Sequence, residues 1–177
     1  MHDEIGRALR GTPNPWAFRA LCAAVMRAGA DPELVAWCEE QLRSWPDATR
    51  RVPYSWVAAL EAGLTKPVWR LVRSLDLGGR AGMRVLGLPD PLATPEVRAV
   101  TDLRLAPFAF RQTMPLPEVA ERWEGLRSVE FGGLMPFDAE PLARFLAGEV
   151  VTRLDSLVLV RAKDDLRDFP PVRIDRP

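Results

Sequence analysis

LVRSLDLGG, residues 71–79, is close to a statement the chain makes three more times. AVTDLRLAP follows at 99–107, GLRSVEFGG at 125–133 and RLDSLVLVR at 153–161. Each copy reads apolar-x-x-apolar-x-apolar. The apolar positions are Val72, Leu75 and Leu77; Val100, Leu103 and Leu105; Leu126, Val129 and Phe131; Leu154, Leu157 and Leu159. The middle residues Leu75, Leu103, Val129 and Leu157 are 28, 26 and 28 residues apart. The last four residues of each unit alternate inward and outward, the period of a short strand. A strand this short cannot bury its apolar face alone. Units recurring at a near-constant interval can stack their strands in parallel, each covering its neighbour. The alternative is four unrelated strands in an ordinary α/β sheet.

Parallel neighbours need a crossover, which a helix usually supplies. The intervening sequence predicts helices in the required places. TPEVRAV (94–100) offers Thr94 as N-cap and Pro95 at the first helical position. LPEVAERW (116–123) repeats the Pro-Glu-Val start, and DAEPLARFLAGE (138–149) begins at Asp138 and puts Leu142, Phe145 and Leu146 on one face.

In its strand motif and period the stretch 71–161 resembles the leucine-rich repeat family, of the long ribonuclease-inhibitor-like type. The polar Asn with which that family closes its loops would fall at 80, 108, 134 and 162. Arg80, Phe108, Leu134 and Ala162 stand there instead, leaving Gly78-Gly79 and Gly132-Gly133 to turn the backbone. The resemblance implies an α/β fold: a short right-handed solenoid of about four β-α units with an N-terminal helical cap. The expected divisions are a helical region at 1–70, the repeat at 71–163 and a C-terminal cap at 164–177.

The first seventy residues predict helices rather than repeats. PNPWAFRALCAAVMRAG (13–29) carries Phe18, Leu21, Cys22, Val25 and Met26 at helical spacing, starting at Pro15 and stopping at Gly29. DPELVAWCEEQLRSW (31–45) opens with Asp31 as cap and Pro32 at the first helical position. PYSWVAALEAGL (53–64) predicts a third helix ending at Gly63, and MHDEIGRALRG a short leading one. A stack of strands leaves an apolar end that a helical cap would cover. Five of the six tryptophans lie here, Trp16, Trp37, Trp45, Trp56 and Trp69, read either as packing between helices or as a binding patch. Residues 8–42 also resemble the helical companion segment that precedes leucine-rich repeats in some bacteria, with CAAV (22–25) where that segment carries Ala-Asp-Trp-Leu. That likeness implies a structural role and no activity.

Chemistry-bearing residues are sparse. The one histidine, His2, is expected on a mobile terminus. Cys22 and Cys38 form no CxxC pair and read as reduced, buried thiols, with a disulfide between neighbouring helices as the alternative. GGRAG (78–82) lacks the Lys-Ser/Thr of a phosphate loop and reads as turn chemistry. Asp164, Asp165 and Asp168 read as a solvated face. No spacing matches a metal site, so neither cofactor nor metal is expected, and no enzyme. Arg plus Lys equals Asp plus Glu at 24 each, without the basic excess usual in a nucleic-acid binder. The N-terminus lacks the form of a signal peptide, and no segment approaches a membrane span, so a cytoplasmic protein is expected.

In a leucine-rich stack, the residues between the inward positions face the concave side. These are Ser74, Asp76 and Gly78; Asp102, Arg104 and Ala106; Ser128, Glu130 and Gly132; Ser156, Val158 and Val160. The central column reads Asp76, Arg104, Glu130, Val158. It is either a cross-strand charge ladder or a partner-binding column ending in the apolar pair Val158 and Val160. The tail residues Phe169, Val172 and Ile174 could equally cover that pair, with Pro170-Pro171 stopping further strand addition. The expected function is non-catalytic: binding another protein through Asp76, Asp102, Arg104, Glu130, Val158 and Val160, the tryptophan-rich helices, or both. By fold analogy, a bacterial toxin-neutralising or complex-assembly subunit would fit. The alternative is a structural protein that forms a symmetric homodimer.

Overall fold

A computed structural model describes residues 2–77, 90–105, 116–134, 139–161 and 172–175. Over these residues the chain is mixed α/β, with five parallel strands and a sixth added antiparallel. Two compact units divide it, Met1–Leu75 and Asp76–Pro177. The division falls inside a strand, Ser74–Asp76.

The first unit begins with α1 (His2–Arg10), α2 (Pro15–Arg27) and α3 (Pro32–Gln41). Local chemistry fixes the starts of α2 and α3. Asn14 Oδ1 accepts from the N–H groups of Trp16 and Ala17, both at 2.9 Å, and Asp31 Oδ1 accepts from Leu34 N–H at 2.9 Å. Gly29, at φ +94°, ends α2. Phe18, Leu21, Cys22, Ala24 and Val25 are the buried residues of α2. Met26, expected among them, lies largely outside the core. A 3-10 turn, Leu42–Ser44, extends α3. Strand β1 (Arg51–Pro53) and helix α4 (Tyr54–Glu61) follow, then a 3-10 segment, Pro67–Leu71, and β2 (Ser74–Asp76).

The second unit takes up the end of β2 and adds β3 (Asp102–Leu105), α5 (Leu116–Arg122), β4 (Ser128–Leu134), α6 (Ala139–Ala147), α7 (Val150–Arg153), β5 (Ser156–Arg161) and β6 (Val172–Asp175). All four predicted strands form, and their register matches the sequence spacing. Leu103 pairs with Val129 and Val129 with Leu157. Eleven of the twelve apolar repeat positions are buried; Leu159 alone is half-buried.

The same backbone device precedes each strand. A tight turn closes Trp69–Val72, Val97–Val100, Trp123–Leu126 and Val151–Leu154 with i to i+3 hydrogen bonds of 3.0 to 3.4 Å. In the second unit one carbonyl then accepts two N–H groups from the next strand entry. Thr101 O accepts from Arg127 and Ser128, and Arg127 O from Asp155 and Ser156. The first unit holds an instance the sequence reading passed over. Thr49 N–H bonds Pro46 O at 2.9 Å, and Arg50 O accepts from Arg73 and Ser74, both at 3.1 Å. Val52 in β1, 23 residues before Leu75, is fully buried.

The predicted crossovers are only partly helical. TPEVRAV makes a single 3-10 turn, Pro95–Val97, and Thr94 gives no side-chain cap bond. Val97 and Val100 are both buried, and a 3-10 turn sets residues three apart on one side. Seven residues ending in a strand entry leave no room for a longer helix. Asp138, the cap expected for α6, lies outside the described residues. Phe145 of α6 packs edge-on against Phe131 of β4 at 5.1 Å, which ties helix to strand. Trp123 Nε1 donates to Val100 O at 3.0 Å inside the core, satisfying a carbonyl at the strand entry.

Candidate interaction surface

The central polar positions of β2, β3 and β4 come together as the strand register requires. Asp102 to Leu105 pairs residue by residue with Ser128 to Phe131, which puts Arg104 beside Glu130 and Glu130 beside Val158. Arg104 reaches both neighbours. Its Nε lies 2.9 Å from Glu130 Oε1 and its Nη1 lies 3.7 Å from Asp76 Oδ2. Leu77 N–H donates to Arg104 O at 2.8 Å, fixing the backbone beneath the pair. The side chains remain in reach of solvent, with relative exposures of 46% for Arg104, 30% for Asp76 and 27% for Glu130. The result is an acid–base–acid row on a rigid sheet. Exposure keeps each pair weak, roughly 0.2–1 kcal/mol.

The other expected contact residues divide. Val158 and Val160 are half-buried. Val158 lies between Glu130 of β4 and Arg173 of β6 in the register. Val160 falls where the β4–β5 pairing becomes irregular, between Phe131 and Leu134. Asp102 is not open: it is only 6% exposed, and Ser74 at the equivalent position of β2 is fully buried. Serine stands at this position in the other three copies, and Ser128 and Ser156 are only half-buried, so place in the strand alone does not set this burial. Gly78 and Ala106 lie outside the described residues.

Beyond β5 the tail acts as a strand. Ser156 to Leu159 pair antiparallel with Asp175 to Val172. The backbone edge of β5 is thus occupied, and strand addition resumes directly after Pro170-Pro171. A proline blocks the ladder only at its own N–H and is tolerated where a strand begins.

The first unit keeps its reactive groups inside. Cys22 and Cys38 are free, buried thiols. Burial above all, with the other thiol adding to it, pushes Cys22 up to about 12, and burial pushes Cys38 up to about 11. Such thiols are poor nucleophiles. Arg50 is buried, donating from Nε to Leu71 O at 2.9 Å, while its Nη2 has no partner among the described residues. Burial, then the charge of Arg73, lowers its pKa to about 10. Glu39 accepts from Arg70 Nε at 2.5 Å and from Arg73 Nη2 at 2.9 Å. Burial works against its charge, but the two guanidiniums outweigh that and hold the carboxyl below its ordinary value.

The tryptophans divide between core and surface. Trp45 and Trp69 are core residues. Trp56 stacks edge-on to Trp69 at 5.8 Å, with Lys66 Nζ 4.6 Å from its ring centre. Trp16, 77% exposed, and Trp37 point outward, and Arg19 covers part of the Trp16 face at 4.3 Å.

Among the described residues no group of three or more His, Cys, Asp and Glu side chains could hold a metal ion, and no helix is long and apolar enough to cross a membrane. Compared with known proteins, the chain matches no family model, no curated protein and no solved structure.

Proposed function

We propose that this chain is a non-catalytic module that binds another protein. In this reading the recurring turn-and-strand units form a short right-handed solenoid of the leucine-rich-repeat kind. Asp76, Arg104 and Glu130, flanked by Val158 and Val160, make the contact surface of a cytoplasmic protein. The observation that carries the reading is the row Asp76–Arg104–Glu130, held on adjacent parallel strands and still accessible. Rigid strands present such a row without an ordering cost, and charges set one against another select a partner with the opposite order. Exposed Trp16 and Trp37 favour a second surface on the helices of the first unit, since tryptophan anchors many interfaces.

The test is affinity capture of a partner by wild type and by the double variant Arg104→Glu/Val158→Asp, with light scattering on the same samples. Loss of a single wild-type partner in the double variant, at unchanged melting temperature, is the expected result. A partner kept by the double variant moves the surface to Trp16 and Trp37. No partner together with a discrete homodimer replaces the reading with a structural one.

A further inference from the structure

Helix α2 is apolar on both sides. Phe18, Leu21, Cys22, Ala24 and Val25 are buried on one. On the other, Trp16, Ala20, Ala23 and Met26 are exposed, Trp16 by 77% and Met26 by 39%. Steps of four, three and three residues keep these in one strip along the helix. The outer side of a surface helix ordinarily carries charged and polar residues. Here Arg19 and Arg27 only flank the strip. Arg19 lies over the Trp16 ring at 4.3 Å, its Nε donating to Pro15 O at 3.1 Å, so the indole is already partly held.

Large residues at the ends and alanines in the middle make the strip complementary to itself. A second α2, turned end for end about a two-fold axis between Leu21 and Cys22, brings each Ala20 level with the other copy's Ala23. Alanine at the crossing lets the helix axes approach to about 8 Å, the near end of the usual range. Trp16 then comes level with Met26 and Arg27 of the other copy, for sulfur–aromatic and cation–π contact.

The charges favour the same arrangement. Glu4 near the start of α1 pairs with Arg27 at the end of α2, so the two helices run antiparallel. Asp3 and Glu4 therefore stand at the Arg27 end of the hairpin. Arg7 and Arg10, in the last turn of α1, stand with Arg19 at the Trp16 end. Asp3, Glu4, Arg7 and Arg10 are all exposed. End-for-end docking lays the acidic end of one copy on the basic end of the other, and symmetry makes each contact twice. Docking in the same direction would set like ends together.

We infer that the exposed face of α2 binds the same face of a second copy of this chain, in an antiparallel homodimer centred on Ala20 and Ala23. This names the occupant of the Trp16 face and does not rest on the charge row of the second unit. So small a patch falls short of the roughly 1,200 Å² that a stable interface buries, which makes the dimer a weak, reversible one.

The experiment is sedimentation velocity of the full chain from about 10 µM to 1 mM at low salt. The expected result is a reversible monomer–dimer equilibrium. Ala23→Glu puts a charge against alanine at the centre and should weaken it about tenfold or more. It should melt as wild type does, because the site is exposed and glutamate suits a helix. Glu4→Arg and Arg19→Glu should each weaken association several-fold. An equal mixture of these two variants should associate more strongly than either alone, since every acid then faces a base again. A chain that stays monomeric to 1 mM overturns the inference. So does a wild-type equilibrium in Ala23→Glu, or a mixture no stronger than its components. None of these variants alters Asp76, Arg104 or Glu130, so failure here leaves the capture test of the row as it stands.

Discussion

The two units build the same strand entry from different chemistry. In the second unit the carbonyls of Thr101 and Arg127 each take two N–H groups, and the side chains above them stay at the surface. Arg127 folds back so that Nη1 bonds Glu124 O at 2.8 Å and Leu126 O at 2.9 Å. In the first unit Arg50 supplies the carbonyl, yet its own side chain is buried and spans to Leu71 O. A repeated backbone pattern thus tolerates opposite side-chain environments, provided the middle apolar position, Val52 or Val129, reaches the core.

The largest effect should come from breaking that middle position. Leu103→Asp puts a carboxylate between stacked strands and should cost about 4 kcal/mol or more, enough to unfold the second unit. Circular dichroism melting with proteolysis would read it. Val52→Asp should do the same to the first unit if β1 is an equivalent strand. A native melting curve for Leu103→Asp would mean that the register is wrong.

These two positions also mark what was legible in the sequence. Leu103 belongs to a pattern with all three apolar positions present. Val52 does not, because Thr49 stands at the first of them and Tyr54 already begins α4. The strand was therefore invisible to a search for the motif, and only hydrogen bonds reveal it. Helix starts at Pro15 and at Asp31–Pro32 were readable because the signals at a helix start are local chemistry, whereas the Asn14 cap came only from the structure. The burial of Asp102 was not readable by alternation, which distinguishes faces but not how deep a strand entry lies. Nor was β6, since four residues can cap an edge by packing or by pairing, and only the backbone partner distinguishes the two. The charge row Asp76–Arg104–Glu130 was legible because constant spacing fixes register, and register fixes neighbours.

The arginines sharpen the comparison next. Arg50→Ala should cost about 2–4 kcal/mol, since it opens a void and leaves Leu71 O buried without a donor. Arg127→Ala at the surface should cost below about 1 kcal/mol. Urea unfolding would separate them. Equal costs would show that the two strand entries depend on side chains in the same way.

Alkaline pH probes the first unit. Cys22 and Cys38 have folded values raised above the ordinary thiol value of 9.0. Their contribution is complete below that value and is lost as pH rises through it toward about 11 and 12. The slope approaches about 1.4 kcal/mol per thiol per pH unit. Arg50 acts in the opposite sense. Its folded value is lowered to about 10, so above that pH the unfolded chain holds more protons and stability is regained. Stability should therefore fall most steeply between about pH 9 and 10, and Cys22→Ala should flatten that fall. A thiol reagent at pH 8 should label neither cysteine until denaturant is added; prompt labelling of native protein would contradict their burial.

The smallest effects belong to the surface row of the second unit. Glu130→Ala removes a 2.9 Å contact and Asp76→Ala a 3.7 Å one, so the first should cost more. Both should stay below about 1 kcal/mol, because exposed pairs exchange attraction for water and side-chain freedom. Added salt should change either melting temperature little. If Glu130→Ala instead cost several kcal/mol, the row would be part of the fold, and its loss of a partner could not be separated from loss of structure. If both variants melt as wild type while Arg104→Glu/Val158→Asp loses its partner, the row serves binding, and stability resides in the apolar positions beneath it.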